Sequence, residues 1–375
     1  MKYRLVELLA CPRCHAELEV AGAEHRVSAG SSSQTFRCQR YCTLERRSTI
    51  PGPETCAECG RTEIVSGTLA CLGCGQKFKI VNAVPWLFDE VAQGSDCRLS
   101  DTASLYSHLW SREADSPASA HINGVEASLG EPIVKGRIGL DAGSGSGTDT
   151  AVMATRYPSV EVISLDISEG VYATRRRTEH LPNVHVVRGS VLAIPIQAET
   201  CDFGYSFGVL HHTADPKRGL TEITRVLKPG GRVVLYLYDD HAGNPWKAIP
   251  LKAVTILRRF TVRLNPRILS VFCYILSPFI VLAFSVPAHL MRRFRRTRAL
   301  AEQIPFNFGT GPFSVHGDLL DRFGAPVELR YSREGLLDLL RGCRLRDLTV
   351  TKMATVAGWV ARATKNDQIA VGAHT

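Results

Sequence analysis

Apolar runs ending in a glycine or an acid recur through the middle of the chain. Ile138-Gly-Leu-Asp141-Ala leads into Gly143-Ser-Gly145-Ser-Gly147, and Asp149–Arg156 then suits a helix. Val160–Leu165 ends in Asp166, and Val184–Arg188 and Phe203–Phe207 repeat the pattern. A helix over Pro216–Leu227 follows, and Pro229-Gly230-Gly231 turns the chain into Arg232–Tyr238. Strands alternating with helices predict a parallel α/β sheet. Ser332–Gly342 reads as a further helix, and Arg344–Met353 and Thr355–Thr364 as a closing strand pair. Before this core, residues 89–120 are polar and read as a linker. It carries an amphipathic helix around Ser104–Arg112, with Leu105, Tyr106, Leu109 and Trp110 on it.

One stretch departs from this rhythm. Ile268–Met291 contains 24 residues without a formal charge. Its length fits a membrane span. Pro278 and Pro287 are expected to break a helix there, and Ser270, Ser277, Ser285 and His289 dilute its hydrophobicity. One crossing would also put the two halves of one sheet on opposite sides of a bilayer. A helical lid or a hairpin dipping into one leaflet avoids that conflict.

The chain has 375 residues, 45% hydrophobic and 22% charged, which allows two or three domains and argues against wholesale disorder. The net charge of +9 is local. Between Asp240 and Glu302 there are 11 Lys and Arg and no acid, whereas elsewhere 34 basic residues face 36 acidic ones. Arg258, Arg259, Arg263 and Arg267 flank the apolar run on one side, and Arg292, Arg293, Arg295, Arg296 and Arg298 on the other. Such clusters suit anionic lipid headgroups. They also suit phosphates, but this segment is aliphatic, and RNA binders interleave aromatics.

Eight of the 12 cysteines lie within the first 74 residues, as Cys11/Cys14, Cys38/Cys42, Cys56/Cys59 and Cys71/Cys74. The opening MKYRLVELLA has no apolar core long enough for a secretory signal, which predicts a cytoplasmic chain, peripheral at the inner face of the membrane if the basic segment binds lipid. In that setting paired knuckles read as structural zinc sites rather than disulfides. Four pairs make two sites, joined either sequentially or as a nested set. A closed all-cysteine site is structural, so the chemistry is expected elsewhere.

LLACPRCHAELEV, answered by GTLACLGCGQKFKIVNAVPWLF, resembles the zinc-ribbon family that includes the activator subunit of tRNA methyltransferases. The resemblance implies nesting. Cys11, Cys14, Cys71 and Cys74 would hold one zinc, and Cys38, Cys42, Cys56 and Cys59 would form an inserted second site.

Residues 136–238 resemble class I S-adenosylmethionine-dependent methyltransferases of type 11. LDAGSGSG, SLDIS, LAIPIQAETCDFGYSFGVLHH and ITRVLKPGGRVVLYLY match that family's motifs in order. The resemblance implies a Rossmann-like, mostly parallel seven-stranded sheet with its last strand antiparallel. A zinc-ribbon domain precedes it, and a helical insertion follows the fifth strand. It further implies that Gly143, Gly145 and Gly147 cradle the methionine and ribose of S-adenosylmethionine, oriented by Asp141. Asp166 would take the ribose, Ile167 the adenine face, and Val191 the adenine ring. Phe207, Gly208 and Leu210 would line the methionine side. The family carries Gly-Asp where this chain has Gly189-Ser190, so Ser190 weakens one adenine contact. His211 is a candidate base beside the transferring methyl, and Tyr238 a candidate substrate contact.

The expected division is a ribbon over 1–92, a linker and cap helix over 93–130, core over 131–240, insertion over 241–304, returning core over 305–365 and a tail over 366–375. The function expected is methyl transfer to oxygen, carbon or nitrogen of a small-molecule or lipid-linked acceptor. A second reading is rRNA or tRNA methylation with the ribbon reading RNA, since bacterial rRNA guanine methyltransferases also join a ribbon to this fold. A third is a non-catalytic scaffold, suggested only by Ser190.

Overall fold

The computed structural model describes residues 1–27, 38, 41–42, 44, 47–48, 62–88, 97–113, 121–301, 304, 314–353 and 356–367. In chain order these form α1 (Tyr3–Val6), β1 (Leu18–Val27), β2 (Tyr41–Cys42), β3 (Arg47–Ser48), β4 (Thr62–Cys71), β5 (Lys77–Val81), β6 (Val84–Leu87), α2 (Cys97–Glu113) and α3 (His121–Leu129). Next come β7 (Ile138–Ala142), α4 (Thr148–Arg156), β8 (Glu161–Asp166), α5 (Gly170–Thr178), β9 (Val184–Gly189), β10 (Cys201–Phe207), α6 (Pro216–Val226) and β11 (Leu227–Leu237). The chain continues through α7 (Pro245–Thr261), α8 (Pro266–Ile280), α9 (Val286–Arg292), α10 (Arg298–Ala301), α11 (Val315–Gly324), α12 (Arg333–Arg341), β12 (Leu345–Lys352) and β13 (Trp359–Lys365).

Each core strand overlaps the run expected for it, though β11 starts at Leu227 rather than Arg232 and β13 at Trp359 rather than Thr355. β7 and β8 are buried along their whole length, as strands covered on both faces must be. Asp215 caps α6 by accepting from the Arg218 amide at 2.9 Å, and Pro216 supplies a preset first turn. Pro229–Gly231 falls at a break in register, where Cys201 opposes Leu227 but Phe203 opposes Arg232.

Among the described residues one sheet runs β1-β4-β5-β6-β9-β8-β7-β10-β11-β13-β12. Its last seven strands are the expected methyltransferase arrangement. β7 to β11 pair in parallel, and β13 is antiparallel to both β11 and β12. The strand count differs from the expected seven because the ribbon joins the same sheet. β6 lies parallel to β9, with Trp86 opposite Arg188 and Leu87 opposite Gly189. The Arg188 guanidinium sits 4.4 Å from the Trp86 ring centre, a cation–π contact that pins the seam.

A buried ion network closes the other side of this junction. Arg4 is 1% exposed and grips Glu161 of β8 through Nε and Nη2, both at 3.1 Å. His185 of β9 approaches the same carboxylate at 3.2 Å. Burial alone would raise the Glu161 pKa, but His185 and Arg4 hold it down to about 2.

The segment expected as a linker with one amphipathic helix carries that helix over a longer span, α2, and α3 follows it. Leu105 and Leu109, four residues apart on α2, bury against Leu319, Leu320 and Phe323 of α11. The insertion is also helical, and its prolines do not end it. Pro266–Arg292 runs as one helix of 27 residues, with a π turn over Val281–Ser285. Pro278 sits inside α8, and Pro287 follows the π turn, where the Val286 amide reaches back to the Val281 carbonyl and the hydrogen bonds are already re-registered. The helix is long and apolar enough to cross a membrane by length and composition, and little of it is buried.

Its inner stripe, Leu269, Cys273, Leu276 and Ile280, packs toward α2 and α11. Its outer stripe is apolar as well: Ile268, Val271, Ile275, Phe279 and Leu282 are each about 60% exposed or more. One expected member of the basic rim is not on the surface. Arg258 is 7% exposed, with Nη2 on Glu328 at 2.7 Å and Nε on the Arg322 carbonyl.

Candidate active site

The parallel strands β7, β8, β9 and β10 end on one side of the sheet, where open α/β sheets bind ligands. A cavity of about 1240 Å³, counting the solvent at its mouth, lies there. Its wall includes Asp141, Gly143, Asp166, Ile167, Ser190, Val191, Phe207, Gly208 and Tyr238. Gly145 and Gly147 shape the loop without lining the cavity. Gly147 caps α4 at φ 78, and a Cβ on it would meet Thr174 at 2.5 Å. A side chain at Gly145 would strike the Trp110 ring at 2.6 Å, so α2 closes directly on the glycine turn.

The loop is held by its own acids. Asp166 accepts from the Gly145 amide at 2.8 Å on one oxygen, and from the Ser168 amide and hydroxyl on the other. Asp141 accepts from Thr150 Oγ1 at 2.5 Å and from the Tyr205 hydroxyl at 3.1 Å. Burial pushes the Asp141 pKa up to about 8, with the Asp149 and Asp166 charges adding to it.

Two observations fit a polar cofactor that lies against this loop. Ser144 Oγ is buried on the cavity wall with no hydrogen-bond partner among the described residues. Such an atom costs free energy unless a ligand or water meets it. Gly208, at φ 76, has no atom within 4 Å of the Cβ it lacks, so it leaves space on the wall that any larger residue would fill. Ser190 is 2% exposed and accepts from the Leu192 amide at 3.2 Å.

Two expected residues stand elsewhere. Leu210 is fully buried and faces Gly219 of α6. His211 is fully buried too, with neither ring nitrogen bonded among the described residues. Burial pushes its pKa well down, and His212 and Arg330 add to that. The cavity wall carries His212 instead. Tyr238 stays on the wall, its hydroxyl 3.3 Å from Asp321.

Sequence reasoning did not single out Tyr106, His121, Asp149 or Asp321 for the cavity, and chose His211 over its neighbour His212 as the base; these four and His212 line the cavity. His121 approaches Asp149 at 3.0 Å between the rings of Phe207 and Tyr236. Only the LHH run at 210–212 and the acid-rich DLLDRFGAP segment carried any signal of this group.

In the ribbon, the sulfurs of Cys11, Cys14, Cys71 and Cys74 lie within 4.8 Å of one another. That is the nested grouping, not the sequential one. Cys11 and Cys74 are 3.7 Å apart, and Cys14 and Cys71 3.4 Å. A tetrahedral zinc with bonds of about 2.3 Å sets its sulfurs roughly 3.8 Å apart. The amides of Gly73 and Cys74 both donate to Cys71 Sγ, which favours a thiolate. Cys38 and Cys42 are buried, and Cys56 and Cys59 lie outside the described residues.

The comparisons with known proteins agree with this geometry. A family model described as a methyltransferase domain matches residues 140–235, and one described as Trm112p-like matches residues 2–82. The chain therefore carries a methyltransferase domain and a Trm112p-like domain. An uncharacterized 37.1 kDa protein in a transposon of Streptomyces fradiae is 36% identical over 156 residues, which is 41% of this chain and 39% of that protein. A demethylmenaquinone methyltransferase of Clavibacter sepedonicus is 33% identical over 151 residues, 40% of this chain and 55% of that protein. A U6 snRNA (guanine-N(2))-methyltransferase of Bos taurus is 33% identical over 126 residues, 31% of this chain and 24% of that protein. The chain thus matches from about a quarter to just over half of each relative's length.

Proposed function

We propose that this chain is an S-adenosylmethionine-dependent methyltransferase for a small-molecule or lipid-linked acceptor. The observation that carries the reading is the cavity itself. A glycine turn, an acid at the end of the second core strand and an unpartnered Ser144 hydroxyl face one space. When bound, S-adenosylmethionine supplies a methyl already activated on a sulfonium, so the protein's task is mainly alignment. Asp166 and the 143–147 loop would hold the ribose and methionine, Ile167 and Val191 the adenine, and Phe207 and Gly208 the methionine side. The ribbon would hold structural zinc at Cys11, Cys14, Cys71 and Cys74, with a second ion at Cys38, Cys42, Cys56 and Cys59.

The acceptor reading draws support from the insertion. Its outer stripe is apolar, Arg293, Arg295 and Arg296 beside it are exposed, and no acid occurs between Asp240 and Glu302. That surface suits reversible docking on an anionic membrane, or an amphipathic acceptor, better than a nucleic acid. RNA methylation remains the second reading, favoured by the Trm112p-like segment and the similarity to the bovine snRNA enzyme.

Calorimetry with S-adenosylmethionine tests the core of this reading. Asp166→Ala should weaken binding at least tenfold, as expected for losing hydrogen bonds to a charged group at about 1.5–3 kcal/mol each. Unchanged affinity in folded protein would place the cofactor elsewhere.

A further inference from the structure

Four polar side chains from four separate parts of the chain meet at one side of the cavity. Tyr106 comes from α2, His212 from the turn after β10, Tyr238 follows β11, and Asp321 comes from α11. Asp321 is 1% exposed, so its carboxylate depends on these neighbours. The Tyr106 hydroxyl donates to Oδ1 at 2.6 Å and the Tyr238 hydroxyl to Oδ2 at 3.3 Å. His212 Nε2 stands 3.6 Å from Oδ1.

The hydrogen-bond partners fix what this group offers. His212 Nδ1 lies 2.9 Å from the Val327 carbonyl, which only accepts, so Nδ1 carries the proton. In the neutral ring Nε2 is then a lone pair. Both tyrosine protons are committed to Asp321, which leaves their oxygens as acceptors. This end of the cavity therefore presents acceptors alone, and a ligand there must bring a donor. A carboxylate has none. An ammonium donates, but it has no free electron pair until it loses a proton beside a carboxylate that favours its charged form. A hydroxyl both donates and can attack.

We propose that His212, oriented by the Val327 carbonyl, takes the proton of a hydroxyl acceptor, and that Asp321 stabilises the imidazolium so formed, so that this site carries out O-methylation. The inference rests on the methyltransferase reading. The hydroxyl O–H bond breaks and its proton rests on Nε2. The oxygen pair forms the new O–CH3 bond, and the old methyl bond pair stays with sulfur. Asp321 then faces an imidazolium, and its two tyrosine bonds keep it aimed. His211, whose ring centre is 4.2 Å from that of His212, is buried without a partner among the described residues and adds no competing charge.

The test uses the full chain loaded with S-adenosylhomocysteine. Calorimetry compares 2-naphthol, 2-naphthoate and 2-naphthylamine as probes. The naphthol should bind, the naphthylamine, a neutral and weaker donor, should bind less tightly, the naphthoate should not bind, and His212→Gln should weaken the naphthol about tenfold. Nitrogen NMR of labelled histidine should show His212 as the Nδ1–H tautomer, and Asp321→Asn should shift its ring signals. Tyr106→Phe is the second variant should Asp321→Asn not fold, with the same signals expected to move. Absence of naphthol binding, equal binding of the naphthoate or the naphthylamine, or an Nε2–H tautomer overturns the proposal. Failure to bind S-adenosylhomocysteine would overturn the methyltransferase reading instead.

Discussion

Changing Arg292, Arg293, Arg295 and Arg296 to Gln should release the chain from anionic membranes. Arg293, Arg295 and Arg296 are exposed, and none of the four pairs with an acid among the described residues. Near a negative surface each is worth about 1 kcal/mol, so the variant loses about 4 kcal/mol, roughly a thousandfold in partitioning. The apolar stripe on α8 is untouched and would meet neutral and anionic lipid alike, so the change should appear only with anionic vesicles. The assay is flotation with phosphatidylcholine vesicles, with and without phosphatidylglycerol. The unaltered chain should float with the anionic vesicles and be released as salt rises, because exposed charges are screened. Equal flotation of both proteins refutes the electrostatic argument. Release only by detergent means that Pro266–Arg292 inserts. No lipid binding together with tight, salt-sensitive binding of structured RNA favours the RNA reading.

Three further outcomes follow from named contacts. Arg4→Met strands the Glu161 carboxylate at the ribbon–core junction and should cost about 3–5 kcal/mol in denaturant unfolding, and a loss below about 1 kcal/mol would show the pair to be idle. Glu161 has its folded pKa held down to about 2, so its contribution is present above its ordinary value of 4.5 and lost as pH falls toward 2; acid unfolding of Glu161→Gln should show a shallower slope across that window. Cys71→Ser should remove one zinc equivalent by metal analysis and loosen the ribbon while cofactor binding persists, and unchanged zinc content would remove that cluster from the metal site.

The core strands were readable because each is a continuous apolar run stopped by a glycine or an acid. That pattern survives in sequence whatever the tertiary packing. The cysteine grouping needed more: knuckle spacing allowed two partitions, and the fold brings Cys11 and Cys14 to Cys71 and Cys74. What escaped were contacts with no local signature. The β6–β9 seam joins Trp86 to Arg188 across about a hundred residues, and nothing in the short run around Val84 marks it as a parallel partner. Arg4 reads as one charge in an apolar opening segment until Glu161 is placed beside it. Pro287 reads as a helix breaker in sequence, but a π turn just before it, in which the Val286 amide reaches back to the Val281 carbonyl, re-registers the backbone hydrogen bonds that a proline disrupts. His212 was passed over for His211 because adjacent histidines are equivalent in sequence. Only the turn after β10 sends one ring to the cavity and the other into the core.

The same packing links the apolar surface to the chemistry. α8 rests its inner stripe on α2 and α11, and those two helices supply Tyr106 and Asp321 to the cavity. The joints are tight. A Cβ on Gly324 would meet Leu105 of α2 at 2.7 Å and Leu269 of α8 at 2.9 Å. Thr261 at the end of α7 donates to the Phe323 carbonyl at 2.6 Å, and Ser270 of α8 contacts His316 of α11 at 3.1 Å. Close-packed joints of this kind pass on displacement rather than absorb it. A surface seated on the outer stripe of α8 therefore lies one helix layer from the Tyr106–Asp321 pair that faces His212. An acceptor entering from that surface would pass the cap helices on its way to Asp321.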